Sequence, residues 1–128
     1  MTSPKIIAVI PAYNEEKAVG AVVAGLKPHV SEIIVVDDHS SDSTAEAARA
    51  SGAHVLRNDK NRGYDASLND GFSAAASAGA DIIFTFDADG EHDAADVPRI
   101  LAPILQWTAD IVAGQRPHVR HWGERIFA

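Results

Sequence analysis

The stretch EIIVVDDHSSDSTAEAARASGAHVLR, residues 32–57, decides the fold. Residues 32–36 form a run of strand length, rich in Ile and Val. Ser43 and Glu46 have the spacing of a capping box, which predicts a helix running to about Ser51, with Gly52 as its stop. Residues 54–57 then read as a second strand. Strand, helix and strand in succession imply a parallel pair joined by a crossover. Apolar runs this continuous suit a sheet buried on both faces.

The same alternation extends in both directions. Strands are expected at 6–10, 32–36, 54–57, 81–86 and 110–113. A helix over 15–27 would place Ala18, Val19, Val22, Val23 and Leu26 on one stripe, with Asn14 as its cap and Glu15 and Glu16 at its positive end. A third helix over 66–78 would carry Leu68, Phe72, Ala75 and Ala76 on one face and stop at Gly79. A fourth over 94–106 would carry Val97, Ile100, Leu101, Ile104 and Leu105. Pro98 suits its first turn, whereas Pro103 predicts a kink or a break, at a cost of about 3 kcal/mol if uncompensated. The expected class is α/β, a three-layer sandwich around a mainly parallel sheet. With 128 residues, one domain, 1–128, is expected.

Composition narrows the function. A net charge of −7 argues against nucleic acid as a partner, because phosphates demand a basic surface. An anionic phosphate ligand stays compatible if a divalent cation mediates the contact. The absence of cysteine excludes disulfides, thiolate zinc sites and a catalytic thiol. No apolar run approaches the roughly 18–20 residues that cross a bilayer. The apolar run after Lys5 is too short for a signal peptide, and a cytoplasmic location is expected.

In parallel sheets ligands bind beyond the carboxyl ends of the strands. The loop after the first strand, PAYNEE, lacks the glycines of a dinucleotide site and is no Walker loop, so a nicotinamide cofactor is not expected. It offers Pro11 to fix the turn and Tyr13 as a ring with a hydroxyl; a plain turn and helix start would account for it too. After the second strand, Asp37 and Asp38 stand where a carboxylate can accept from a base N–H or ribose hydroxyls. An Asp and Ser turn capping the next helix explains part of that stretch, but not both acids. After the third strand, Lys60 and Arg62 are a basic pair placed to face a diphosphate, or to lie in a solvated loop.

After the fourth strand comes FDADGEH, residues 86–92. If this segment is extended, Asp87, Asp89 and Glu91 point the same way and converge on one centre. Hard cations such as Mg²⁺ and Mn²⁺ take oxygen ligands and bridge to phosphate, which would offset the repulsion among the three acids. His92 is expected to be structural. An acidic helix start, with Asp93 as cap, does not explain the acids placed before that cap.

Together, IPAYNEE, VVDDHSSDST, NRGYDASLNDG, DADGEHD and VAGQRP resemble the inverting family 2 glycosyltransferases of GT-A fold, above all the polyprenyl-phosphate (dolichol-phosphate) sugar synthases. The likeness covers about residues 5–117. It implies a nucleotide-diphosphate sugar as donor and Mg²⁺ or Mn²⁺ as cofactor. By motif, Pro11, Ala12, Tyr13 and Glu15 would line the nucleotide site and Asp38 would hydrogen-bond the base. Lys60 would face the diphosphate. Asp87 would lie near ribose and metal, with Ala88 beside it. Asp89 would be the metal carboxylate of the DxD pair, Glu91 a further metal-side residue, and Arg116 a contact to donor or acceptor phosphate. Asp87 and Asp89 are the expected catalytic residues.

Relatives of this kind usually continue for about another hundred residues, which supply the acceptor side. The chain therefore reads as the donor half of such an enzyme, truncated before the acceptor half. The expected acceptor is a lipid phosphate such as polyprenyl phosphate, an anion needing no general base. Peripheral contact with a membrane surface and a homodimer are the accompanying expectations. The alternative is a non-catalytic nucleotide-sugar-binding module or subunit. A haloacid dehalogenase phosphatase would place its Asp pair after the first strand, and a sugar nucleotidyltransferase would open on a Gly-rich loop; neither pattern is present.

Overall fold

A computed structural model describes residues 3–90 and 93–105, and for Ile104 and Leu105 the backbone alone. The elements are β1 (Ile6–Ala12), α1 (Val19–Leu26), a 3₁₀ turn (Lys27–His29), β2 (Glu32–Asp37), α2 (Thr44–Ala50), β3 (His54–Arg57), α3 (Tyr64–Ser77), β4 (Ile82–Thr85), a second 3₁₀ turn (Ala94–Asp96) and α4 (Val97–Leu105). The chain divides into two compact units, Met1–Ala94 and Ala95–Ala128.

The four strands of the first unit form one parallel sheet in the order β3-β2-β1-β4. From β1 the chain steps outward to β2 and β3, then crosses back to lay β4 on the other side of β1. The direction of winding therefore reverses between β1 and β4. Alternation along the strands splits their side chains between two faces. Ile7, Val9, Ile34 and Val36 pack with Leu68 and Ala75 of α3 on one face. Ala8, Ile10, Ile33 and Val35 are buried on the other. There α2 packs against α1, β2 and β3. The two central strands are buried as expected, while β3 and β4 are only partly covered.

α3 approaches the sheet closely at Gly71. A Cβ on that residue would collide with Val9 Cγ1 and lie 3.2 Å from Val36 Cγ2. The buried stripe of α3 is Ser67, Leu68, Gly71 and Ala75. The expected face was wrong in part, since Phe72 and Ala76 are exposed. The helix also begins two residues early, at Tyr64, because Gly63 adopts φ +94° and turns the chain directly into it.

Other boundaries moved for identifiable reasons. β1 runs through Pro11 to Ala12, paired with Val36 and Asp37. Pairing to β4 has ended by then, at Val9 with Thr85 and the Phe86 N–H on Val9 O, so the missing proline N–H leaves no ladder bond unmade. α1 starts at Val19, not at Glu15, because residues 16–18 form a turn in which the Ala18 and Val19 N–H groups both donate to Glu15 O. Its buried face, Val19, Val22, Val23 and Leu26, is the expected one. Ser43 flanks α2 without a capping bond from its side chain. The Asp42 carboxylate accepts the Thr44 N–H at 3.0 Å instead.

In the second unit, α4 contains Pro103 and continues to Leu105, so the proline does not end the helix. Val97 and Leu101 are buried, and Arg99 pairs with Asp96 at 3.1 Å. The expected strand at 110–113 lies outside the described residues, as do Glu91, His92 and Arg116.

Candidate functional site

The loops after β1 and β2 are laced together at the carboxyl edge of the sheet. Asn14 takes a left-handed backbone, φ +52°, and is not the cap of α1. Its Oδ1 accepts the Ser41 N–H at 2.9 Å and the Ser41 hydroxyl at 3.2 Å. In return the Asn14 N–H donates to Ser40 Oγ at 2.9 Å. One residue on, the Glu15 N–H donates to Thr44 Oγ1 at 2.9 Å. Glu16 completes the exchange: its N–H donates to Asp42 at 3.3 Å and its carboxylate accepts the Ser43 N–H at 3.1 Å. Pro11 and Ala12 are buried at the strand end, Glu15 is half-buried, and the Tyr13 ring is half exposed beyond them.

Asp37 ends β2 and Asp38 follows it, and both are buried. Asp37 accepts the Ser40 N–H at 3.1 Å and the Ser40 hydroxyl, and its other oxygen lies 3.5 Å from Arg57 Nε. Arg57 also donates to Ser40 O at 3.0 Å. Asp38 faces the β3–α3 loop. Its Oδ1 accepts the Arg62 N–H at 2.7 Å and the Asn58 side-chain amide at 2.8 Å, and its Oδ2 accepts the Gly63 N–H at 2.9 Å. Burial works against its charge, but the bonds from Arg62, Asn58, Gly63 and Ser67 outweigh it and hold the carboxyl below the ordinary aspartate range. No buried side-chain polar atom among the described residues lacks a hydrogen-bond partner.

An open depression of about 530 Å³ lies on the β3–α3 loop, lined by Arg57, Asn58, Asp59, Lys60 and Arg62. The basic pair expected here is divided in its duties. Arg62 forms an ion pair with Asp70, while Lys60 is exposed and its ammonium meets no acidic partner among the described residues.

Beyond β4 the backbone does not stay extended. Ala88 and Asp89 lie in a turn, and Gly90 has φ +78°. The reason for expecting alternate acids to share one direction therefore fails: Ala88 is buried, Asp87 is half-buried and Asp89 is exposed. Asp87 and Asp89 still sit beside the β1 loop, because β4 is the neighbour of β1. Two carboxylates give the hard oxygen donors that Mg²⁺ or Mn²⁺ takes, with phosphate and water filling the remaining places. No group of three or more potential metal ligands occurs among the described residues, and Glu91 lies outside them.

Ser40, Thr44 and Asn58 organise these loops without having been singled out in the sequence, and Asn14, expected as the cap of α1, does so by binding Ser40 and Ser41 instead. One signal was there to be read. Two aspartates directly after the apolar run 33–36 are buried by position, and buried carboxylates require donors nearby.

Comparison with known proteins bears on the family and the fold. Residues 7–123 match the family model described as Glycosyl transferase family 2. An uncharacterized protein of Methanocaldococcus jannaschii is 41% identical over 113 residues, covering 88% of this chain and 46% of that protein. The UDP-N-acetylglucosamine–dolichyl-phosphate N-acetylglucosaminyltransferase of Methanococcus voltae is 33% identical, covering 91% of this chain and 53% of that enzyme. A crystal structure of Mycobacterium tuberculosis glucosyl-3-phosphoglycerate synthase with Mg²⁺ and UDP aligns with a TM-score of 0.69 at 28% identity, covering 87% of this chain and 42% of that one. The chain thus spans about half the length of the curated relatives it matches. Its parallel sheet and helices have the GT-A fold that the sequence resemblance implied. With the family model matched over residues 7–123, the chain belongs to glycosyl transferase family 2.

Proposed function

We propose that the chain carries the donor site of a glycosyltransferase that moves a sugar from a nucleotide diphosphate, with Mg²⁺ or Mn²⁺ and with inversion. The observation that supports this most is the place of the acids. The β1 loop, with Tyr13 and Glu15, and the β4 loop, with Asp87 and Asp89, flank the point where the winding of the sheet reverses. Open α/β sheets bind their ligands at such a point.

In this reading Pro11, Ala12, Tyr13 and Glu15 line the nucleotide site and Asp38 stands at its base end. Lys60 faces the diphosphate, and Arg116 contacts a phosphate. Asp87, Asp89 and Glu91 hold the cation, with Ala88 keeping the backbone between the first two close to the sheet. When bound, the cation stabilises the charge that builds on the leaving nucleoside diphosphate. The laced loops would hold the nucleotide and leave the anomeric carbon of the transferred sugar open to attack from the face opposite the departing diphosphate. The proposed acceptor is a lipid phosphate such as polyprenyl phosphate, which attacks as an anion and needs no proton removed. Peripheral contact with a membrane surface would serve such an acceptor, and a second copy of the chain could complete the site. No helix among the described residues is long and apolar enough to cross a membrane.

Calorimetry with UDP-, GDP-, ADP- and dTDP-sugars, with Mn²⁺ and with chelator, tests the donor site; product analysis with a polyprenyl phosphate tests transfer. Metal-dependent binding of at least one donor is expected. Binding without transfer would favour a binding module over an enzyme, and no binding of any donor would contradict both.

A further inference from the structure

Asp37 and Asp38 are consecutive and both buried, yet the fold treats their charges differently. Asp37 has a cation beside it, with Arg57 Nε at 3.5 Å. Asp38, at 5% exposure, is met by neutral donors: the Arg62 and Gly63 backbone N–H groups, the Asn58 amide and the Ser67 hydroxyl. The Arg62 guanidinium, carried by the same loop, pairs with Asp70 instead. A buried carboxylate with no cation against it keeps its charge only through such donors.

Among them Asn58 is itself closely held. Its N–H donates to Asp37 O at 2.9 Å, and its carbonyl oxygen lies 3.2 Å from His39 Nδ1. Its side-chain nitrogen reaches Asp38 Oδ1 at 2.8 Å and Ser67 Oγ at 3.1 Å, so both amide hydrogens are used. Turned end for end, the amide would set its oxygen against the carboxylate. A lysine or arginine in this place would neutralise Asp38 and compete with donors on a ligand. An amide orients the carboxylate and leaves it a charged, and therefore strong, acceptor.

We infer that Asn58 is a positioning residue acting through Asp38: its amide holds that carboxylate in one orientation without neutralising it, so that the charge stays available to donors of the nucleotide. This rests on the donor-site reading above, in which Asp38 stands at the base end.

The test has two arms. Asn58→Ala removes the amide and leaves the backbone bonds of residue 58 in place. In the nucleotide-free chain, NMR of the Asp38 carboxyl carbon should show it titrating at higher pH in Asn58→Ala than in wild type. An unchanged titration would overturn the inference. Calorimetry with UDP, GDP, ADP and dTDP in Mg²⁺ reads the consequence. Asn58→Ala should bind the best of these about five- to tenfold more weakly than wild type. Asn58→Asp adds a readout that mere loosening of the loop would not move. Protonated, its carboxyl donates to Asp38 as the amide does; ionised, it repels Asp38. Its affinity, as a ratio to wild type, should lie within about twofold of unity near about pH 5 and fall to the Asn58→Ala level or below near about pH 8. The ratio cancels the titration of the nucleotide and of the groups around the pair, Asp37, His39, Arg57, Asp59, Lys60 and Arg62, which all three proteins share. A ratio independent of pH, or wild-type affinity in Asn58→Ala, would overturn the inference. Should Asn58→Ala not fold, Asn58→Asp decides alone. A wild-type chain that binds none of the nucleotides would refute the donor-site reading, while the NMR titration still decides the positioning.

Discussion

Ser41 gives both its N–H and its hydroxyl to a single atom, Oδ1 of Asn14, at 2.9 and 3.2 Å. Two loops that are 27 residues apart in sequence are thereby joined at the site. Asn14 stands in the left-handed region, where Asn and Gly are tolerated and a Cβ-bearing residue without a polar side chain is not. Asn14→Ala loses both bonds and adds strain; Asn14→Gly loses the bonds alone. Urea denaturation should show a loss of about 2–3 kcal/mol for Ala and about 1 kcal/mol less for Gly. Equal losses would contradict the role of the backbone conformation.

Gly71 sets the distance between α3 and the sheet. Gly71→Ala places a methyl group against Val9 and Val36 and should destabilise the chain by about 1–3 kcal/mol, despite the better helix propensity of Ala. Combining it with Val9→Ala should cost less than the sum of the two single changes, because the room vacated by Val9 is where the new methyl goes. Additive losses in denaturant titrations would show that the approach is not tight.

The Asp38 carboxyl is held below its ordinary range, because hydrogen bonding outweighs burial. A folded-state pKa below the unfolded value makes a contribution that is fully present above the unfolded value, about 3.9, and is lost as pH falls through the folded one. The stability advantage of wild type over Asp38→Asn should thus be flat from neutrality to about pH 4.5 and shrink below about pH 4. Asp42, also held low, is present in both proteins and cancels. An advantage that grows on acidification would have the wrong sign.

Lys60 is exposed and free of the ion pair that occupies Arg62. Lys60→Ala should leave the urea midpoint unchanged and weaken donor binding by about two- to fivefold, an effect that fades as salt is raised past about 0.15 M. A loss independent of salt would indicate that Lys60 acts by packing instead of charge.

The order of strands and helices was legible because its signals are local. Buried β1 and β2 announce themselves as Ile and Val runs, and Gly52 and Gly79 end their helices at positive φ. Which loops gather at the carboxyl edge of the sheet was legible too, since it follows from parallel topology. The details that were missed depend on contacts between distant segments. No periodicity within PAYNEE can show that Asn14 serves Ser41 instead of α1, nor that Thr44 takes the Glu15 N–H. That Asp38 is also held by Asn58, Arg62 and Gly63 was not legible, because these partners come 20–25 residues later. The DADG turn was not legible because Gly90 adopts a positive φ that the residue type permits but does not require.

Asp89 offers the most direct test of the donor site. Titrate the best nucleotide-sugar of the panel into wild type and Asp89→Ala, with Mn²⁺ and again with chelator. Wild type should bind only with the metal, and Asp89→Ala should bind more than about tenfold more weakly, a difference of about 1.4 kcal/mol or greater. Equal affinity in the two proteins, or binding indifferent to the chelator, would contradict a metal-held diphosphate beside β1 and β4.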